Sequence, residues 1–439
     1  RSTMTAVPQD LDSDGGPPLS IPLRHFVAAL GFLLAGSALG VADTFGVAPG
    51  LARLAHVHLL LVGFVCLTIA GAMTQFVPVW SGTALHSRRL ARVQLWLLVV
   101  GLVGFVAALL IGRLVVLPPF GGLLLAGFWT LAYNVGRTLD RPLDVTERHF
   151  AAALAFFLAL TTLGVALAAG FVTPVFGGAL PRSAVVGAHV TLAVFGAVLT
   201  TVFGALYQLV PMFGQTDLDG LDRRLQRVET VVYPLGVAVL ALGRLLANGP
   251  LARFGASLLL AGVLAFLVVL GRRLHDARAD STPMLVRYTL LVPAMLVWAL
   301  VTLPAWLHDP LAPTVRFGAP GTAHLLAMVF VLVLVGTLYH IVPFLVWVHR
   351  YSDRLGLEAV PMIDDLYDDR LATADLVLVA GGGACLVAGE WVGWDSAVRL
   401  GGVGLTLGFA VVAANLSLVV WRHAPEALHR DPAVAAEGE

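Results

Sequence analysis

Four histidines fall where an ionisable side chain is costly, at the starts of membrane-length apolar stretches. His56 and His58 open one stretch, His189 a second and His324 a third. Imidazole is the commonest metal ligand in proteins, and ionisable groups within lipid are functional-site candidates by default. Each stretch ends in one pattern, Gly-(Ala/Thr)-(Met/Leu)-x-(Gln/His)-x-Val-Pro, at Gly71 to Pro78, Gly204 to Pro211 and Gly336 to Pro343. His189 and Pro211 lie 133 residues after His56 and Pro78, so the first two copies align without a gap. A metal-binding side chain in each third of the chain points to a cofactor on the axis of a three-fold internal repeat.

Counted back from the proline, His56 and His189 are 22 residues away, His58 is 20 and His324 is 19. At about 1.5 Å per residue, all four lie within roughly 5 Å of one depth. Two of them could therefore grip one planar cofactor from opposite sides. Depth pairs His58 with His324, helical phase pairs His56 with His324, and the sequence leaves both open. His56 and His58 differ by about 200° in phase, so one metal does not take both. His189 is expected either to ligate a second haem or metal with whichever of His56 and His58 is left over, or to hydrogen-bond across helices. His340 replaces Gln75 and Gln208 of the other copies, about 24 Å further along, and reads as a hydrogen-bonding residue. His25 and His149, beside Arg24 and Arg148, read as interfacial. Arg244 and Arg399 are candidate partners for haem propionates, which need cationic donors, with interfacial anchoring as the alternative. Glu390, followed by Trp391 and Trp394, is a candidate for a proton or charge role beside an aromatic belt.

The elements that position these residues follow from composition. The 439-residue chain is 58% hydrophobic and 12% charged, with mean hydropathy +0.88, against about 25% charged for a soluble domain. This is an all-α polytopic membrane protein. Twelve stretches meet the requirement of about 20 apolar residues, centred near Leu33, Cys66, Val103, Leu125, Leu158, Ala197, Val239, Leu260, Met295, Val331, Gly382 and Gly408. Residues 1–20 and 424–439 read as cytoplasmic tails, the first of them disordered, around a transmembrane domain over 21–423. Ser352–Arg370 reads as a solvated loop. Arg24-His25-Phe26 and Arg148-His149-Phe150 open the first and fifth spans, and Arg287-Tyr288 the ninth. The spans thus divide into three four-helix units, about 21–140, 141–280 and 281–423. Arginines concentrate in the loops after even-numbered spans and on the tails, 20 against seven on the other side. By the positive-inside rule both termini are cytoplasmic and the four histidines lie in the outer half of the membrane. All 27 basic residues are arginine, so lysine Schiff-base chemistry is excluded, and no basic run points to nucleic acid. Cys66 and Cys385 sit apart inside apolar helices and form no metal or haem-attachment motif.

Twelve helices in three arcs, with histidines at the outer starts of the second, sixth and tenth, resemble subunit I of the haem-copper oxidase and nitric oxide reductase superfamily. Gly204-Ala205-Leu206-Tyr207-Gln208-Leu209-Val210-Pro211 looks like the end of the haem-bearing second helix of nitric oxide reductases. His56-Val57-His58 and Val77-Pro78-Val79-Trp80-Ser81-Gly82 resemble segments of NnrS-type haem/copper membrane proteins. The resemblance implies an oxidase-like pseudo-three-fold arrangement and a low-spin haem b between the second and tenth helices, held by His324 and either His56 or His58. The chain departs from the pattern where an oxidase has a His-x-His pair on its tenth helix and a His-His pair on its seventh. The tenth span here has one histidine in its outer half and the seventh, Val228 to Asn248, has none. The usual binuclear centre cannot be assembled, and conventional dioxygen reduction is not expected.

The expectation is a haem-binding protein of a prokaryotic plasma membrane, with one haem b or two and copper as a further option. It would act in electron transfer or in redox chemistry of nitric oxide or oxygen, fed by a small electron-donor protein on the outer face. A copper or zinc transporter and a cofactor-less structural subunit are the alternatives. Whether the chain is an enzyme and how it oligomerises are open at this stage.

Overall fold

A computed structural model describes residues 17–177 and 180–429. Most of the tail expectation over 1–20 and 424–439 lies outside them, as do Arg1 and Arg430. Regular structure among the described residues is helical, and twelve helices are long and apolar enough to cross a membrane. They are α1 (Ser20–Thr44), α2 (Ala52–Ser81), α3 (Arg88–Leu110), α4 (Leu114–Thr138), α5 (Val145–Ala169), α6 (Arg182–Gly214), α7 (Gly220–Leu245), α8 (Gly249–His275), α9 (Pro283–His308), α10 (Ala323–Arg354), α11 (Asp369–Val392) and α12 (Asp395–His423). Their starts carry the expected local signals. Ser87, Asp144, Asp219, Asn248, Thr282 and Asp368 each accept a backbone N–H of the first turn, satisfying donors that a helix leaves orphaned. Gly82 and Gly393 end α2 and α11 in the left-handed conformation that glycine adopts most cheaply.

Three helices form the middle of the bundle. In α2, α6 and α10, 67, 78 and 72% of the most apolar window is buried, against 28 to 56% in the other nine. Around them α1 packs on α2 and α12, α4 on α5, and α8 on α9, while α3–α4, α7–α8 and α11–α12 pair closely. The last helix thereby returns to the first. Two of the central helices are wound differently from the third. Leu59–Cys66 in α2 and Leu192–Leu199 in α6 are π-helical, again 133 residues apart, whereas Ala323–Tyr351 of α10 is α-helical throughout. A π turn closes on i−5 rather than i−4 and so takes in one more residue. An eight-residue π stretch absorbs about two residues in this way, most of the three by which the His56-to-Pro78 interval exceeds that from His324 to Pro343.

Glycines set the crossings beside these helices. A Cβ at Gly63 would meet Phe32 at 2.6 Å and one at Gly196 would meet Phe156 at 2.8 Å. Towards the other end, Gly71 and Gly204 likewise face the Cβ atoms of His25 and His149, at 2.7 and 2.6 Å. His25 and His149, near the starts of α1 and α5, are buried at these helix crossings. Arg273 and Arg287, counted among the arginines of the arginine-rich side, also lie buried within α8 and α9. Each is drawn in by a carboxylate, Arg273 by Asp222 at 2.9 Å and Arg287 by Asp375.

Candidate cofactor site

Three of the four outer histidines share one hydrogen-bonding habit. His56 Nδ1 lies 2.7 Å from the Gly36 carbonyl of α1, His58 Nδ1 lies 2.8 Å from the Leu54 carbonyl one turn back, and His189 Nδ1 lies 2.9 Å from the Leu160 carbonyl of α5. A carbonyl only accepts, so each Nδ1 carries the proton and each Nε2 keeps its lone pair. His324 Nδ1 faces a charged group instead, at 2.7 Å from a Glu390 carboxylate oxygen of α11. An acceptor on one ring nitrogen fixes the tautomer and orients the other towards a metal.

Glycines make room for two of these rings. A Cβ at Gly40 would meet the His56 ring at 2.5 Å, and one at Gly164 would meet the His189 ring at 3.1 Å. The π stretches begin directly after His58 and two residues after Val190, so the ring positions are fixed just before the helix changes its winding. His58 packs on Phe105 of α3, with ring centroids 5.0 Å apart. His58 and His189 are half-buried. His324 lies within electrostatic range of His56, and His58 within range of His189.

The arginines expected near propionates are engaged with protein. Arg244 is buried and donates to the carbonyls of Pro310, Val315 and Arg316 and to the Thr191 hydroxyl. Those four bonds leave one of its five N–H groups. They tie α7 to the loop that leads into α10. Exposed Arg399 donates to the Thr44 carbonyl at 3.1 Å and covers the Phe45 ring. His340 differs from expectation. Its Nε2 is buried without a hydrogen-bond partner, and the ring lies between Phe213 and Phe344. Phenylalanines fill the space a polar partner would need.

Between α2, α6 and α10, towards the proline ends, is an apolar cavity of about 60 Å³ lined by Thr68, Met73, Phe76, Leu206, Val333 and Thr337 among others. It is far below the ~300–1,000 Å³ that holds a drug-sized ligand, and it lies at the opposite end from the histidines. Beside that end, polar ties join alternate outer helices. His25 of α1 meets Gln94 of α3 at 3.3 Å, His149 of α5 meets Glu229 of α7 at 3.1 Å, and Arg287 of α9 meets Asp375 of α11. Tyr339 and Asn415 extend the last tie, the first donating to Asp375 and the second to Tyr339. Sequence reasoning missed Gln94, Glu229 and Asp375 as site residues. The available signal was a lone carboxylate inside an apolar span, which is rare in lipid. No family model matches the chain, and no curated protein matches it.

Proposed function

We propose that the protein is a multi-pass, haem-binding membrane protein of redox chemistry. The observation that carries this reading is that His56, His58 and His189 each commit Nδ1 to a backbone carbonyl, which leaves Nε2 as the ligating atom, while His324 Nδ1 lies 2.7 Å from a Glu390 oxygen. Pairs, rather than larger clusters, suit a planar cofactor whose own ring supplies four nitrogens to the metal and asks the protein for two. Among the described residues no group of three or more metal-binding side chains is assembled, which a bare copper or zinc ion would favour. His56 and His324 are the proposed axial ligands of one haem b, and His58 and His189 those of a second haem or of a metal. When bound, haem supplies one-electron redox chemistry tuned by its ligands and burial. Bis-histidine ligation leaves no open coordination position, so electron transfer is the leading activity and redox chemistry of nitric oxide or oxygen the second.

The finer arrangement belongs to the same proposal. The contacts α12–α1, α4–α5 and α8–α9 support three four-helix units around α2, α6 and α10, as in subunit I of the oxidases. The arginine bias favours a plasma membrane of a prokaryote with both termini cytoplasmic and the histidines outward, where a small electron-donor protein could dock. An absorption spectrum with elemental analysis tests the reading. A b-type Soret band and reduced α-band are expected, with one component lost in His324→Ala and His56→Ala, another in His58→Ala and His189→Ala, and neither in His340→Ala. A folded, colourless protein without iron would overturn it.

A further inference from the structure

The three ties between alternate outer helices differ in a way that gives the middle one its own chemistry. Arg287 is a permanent cation, so its pair with Asp375 is a fixed ion pair. His25 meets the uncharged amide of Gln94. Only in the tie between α5 and α7 can both partners exchange a proton. His149 Nε2 lies 3.2 and 3.1 Å from the two Glu229 oxygens, and neither side chain is exposed. His149 Nδ1 donates to the Val145 carbonyl at 2.7 Å. With Nδ1–H committed there, Nε2 is the atom that gains or gives the proton, directly against the carboxylate.

The groups facing the pair bring no opposing full charge to it, although the buried Tyr207 hydroxyl neighbours Glu229. Tyr207 of α6 lies against His149, with ring centroids 5.6 Å apart. Tyr233 of α7 donates its hydroxyl to the Phe195 carbonyl, and Thr146 donates to the Gly204 carbonyl. From α8 the neighbour is the Phe266 ring, which packs on Tyr207. The nearby carboxylates have other partners. Glu147 accepts from Ser81 of α2 and from the Asp144 N–H, Asp144 caps α5, and Asp222 pairs with Arg272 and Arg273. Among the described residues no arginine pairs with His149 or Glu229, and the chain has no lysine. In a low-dielectric site a proton held by one of two such groups is felt directly by the other.

We propose that His149 and Glu229 form a proton-binding site, holding one transferable proton exchanged with the arginine-rich side of the membrane. The proton moves between Nε2 and a carboxylate oxygen, and from the pair to water or back; no electron moves. The site would serve proton-consuming chemistry elsewhere in the molecule, and it stands whether or not haem is present. The test is nitrogen-15 NMR of the full-length protein in lipid with labelled histidine. The His149 ring is identified by its contact with labelled glutamate carboxyl and separated from the His324–Glu390 contact by Glu390→Gln. The expected result is a His149 ring that changes protonation state between about pH 5 and 9, on a curve displaced in Glu229→Gln and retained in Glu229→Asp. A ring that keeps one protonation state throughout, or a curve unmoved in Glu229→Gln, would overturn the proposal. Should Glu229→Gln not fold, the wild-type curve compared with Glu229→Asp decides between a titrating site and a fixed pair.

Discussion

What separates the outer histidines from ordinary interhelical polar contacts is the atom each leaves free. Three lean on backbone carbonyls, and His324 alone leans on a carboxylate. A negative partner on Nδ1 makes the imidazole a stronger donor at Nε2 and favours the more oxidised metal. Glu390→Gln is therefore expected to weaken cofactor binding at His324 by roughly 10–100-fold and to raise the reduction potential of that component. The His58–His189 component should keep its potential. Redox titration followed by absorbance reads both, and equal shifts in the two components would refute the assignment. The histidines were legible as candidates from their spacing to the repeated prolines, and helical phase already set His56 with His324. The winding beyond His58 and His189 was not, because a count at about 100° per residue does not register a π stretch. Glu229 and Asp375 escaped for another reason: a single carboxylate inside an apolar run has no periodicity, and its partners come from helices distant in sequence.

At the scale of the helix, the seat of a histidine is as specific as the histidine itself. His56 fits against α1 only because Gly40 lacks a side chain, and His189 fits against α5 beside Gly164. Gly40→Ala puts a carbon 2.5 Å from the His56 ring, so the ring must leave its place or α1 must move. The expected result is loss of the His56–His324 component, with a destabilisation of about 1–3 kcal/mol measurable by thermal unfolding in detergent. Gly164→Ala meets the His189 ring at 3.1 Å, a contact that a small shift relieves, so it should perturb the second component more weakly. Spectra of the two variants side by side check the order, and a greater effect from Gly164→Ala would contradict it. The twelve spans themselves were readable because membrane length and hydropathy are local properties. The change to π winding was not, since the chains of α2 and α6 carry no breaker at Leu59 or Leu192.

Across the whole molecule, a bundle whose faces are uniformly apolar depends on polar contacts and small residues for specific packing. Arg287–Asp375, extended by Tyr339 and Asn415, is a buried contact of this kind. Asp375→Ala strands a buried guanidinium and should cost about 3–5 kcal/mol, whereas removing both charges together should cost less; unfolding of the single and double variants compares the two. The same buried arginines bear on topology. Arg273 and Arg287 lie inside helices and paired, so they say little about which side of the membrane their loops face. Removing them from the count still leaves the arginines concentrated at the end opposite the outer histidines. Two exposed positions mark the two ends: Val47, between α1 and α2, is 74% exposed, and Leu357, between α10 and α11, is 84% exposed. With Cys66 and Cys385 replaced by alanine, Val47→Cys should react with a membrane-impermeant thiol reagent in intact cells, and Leu357→Cys only after the membrane is opened. That outcome puts the four outer histidines on the outer side of the membrane. The reverse labelling would turn them to the cytoplasm and place the proton-binding pair, His149 and Glu229, on the outer side.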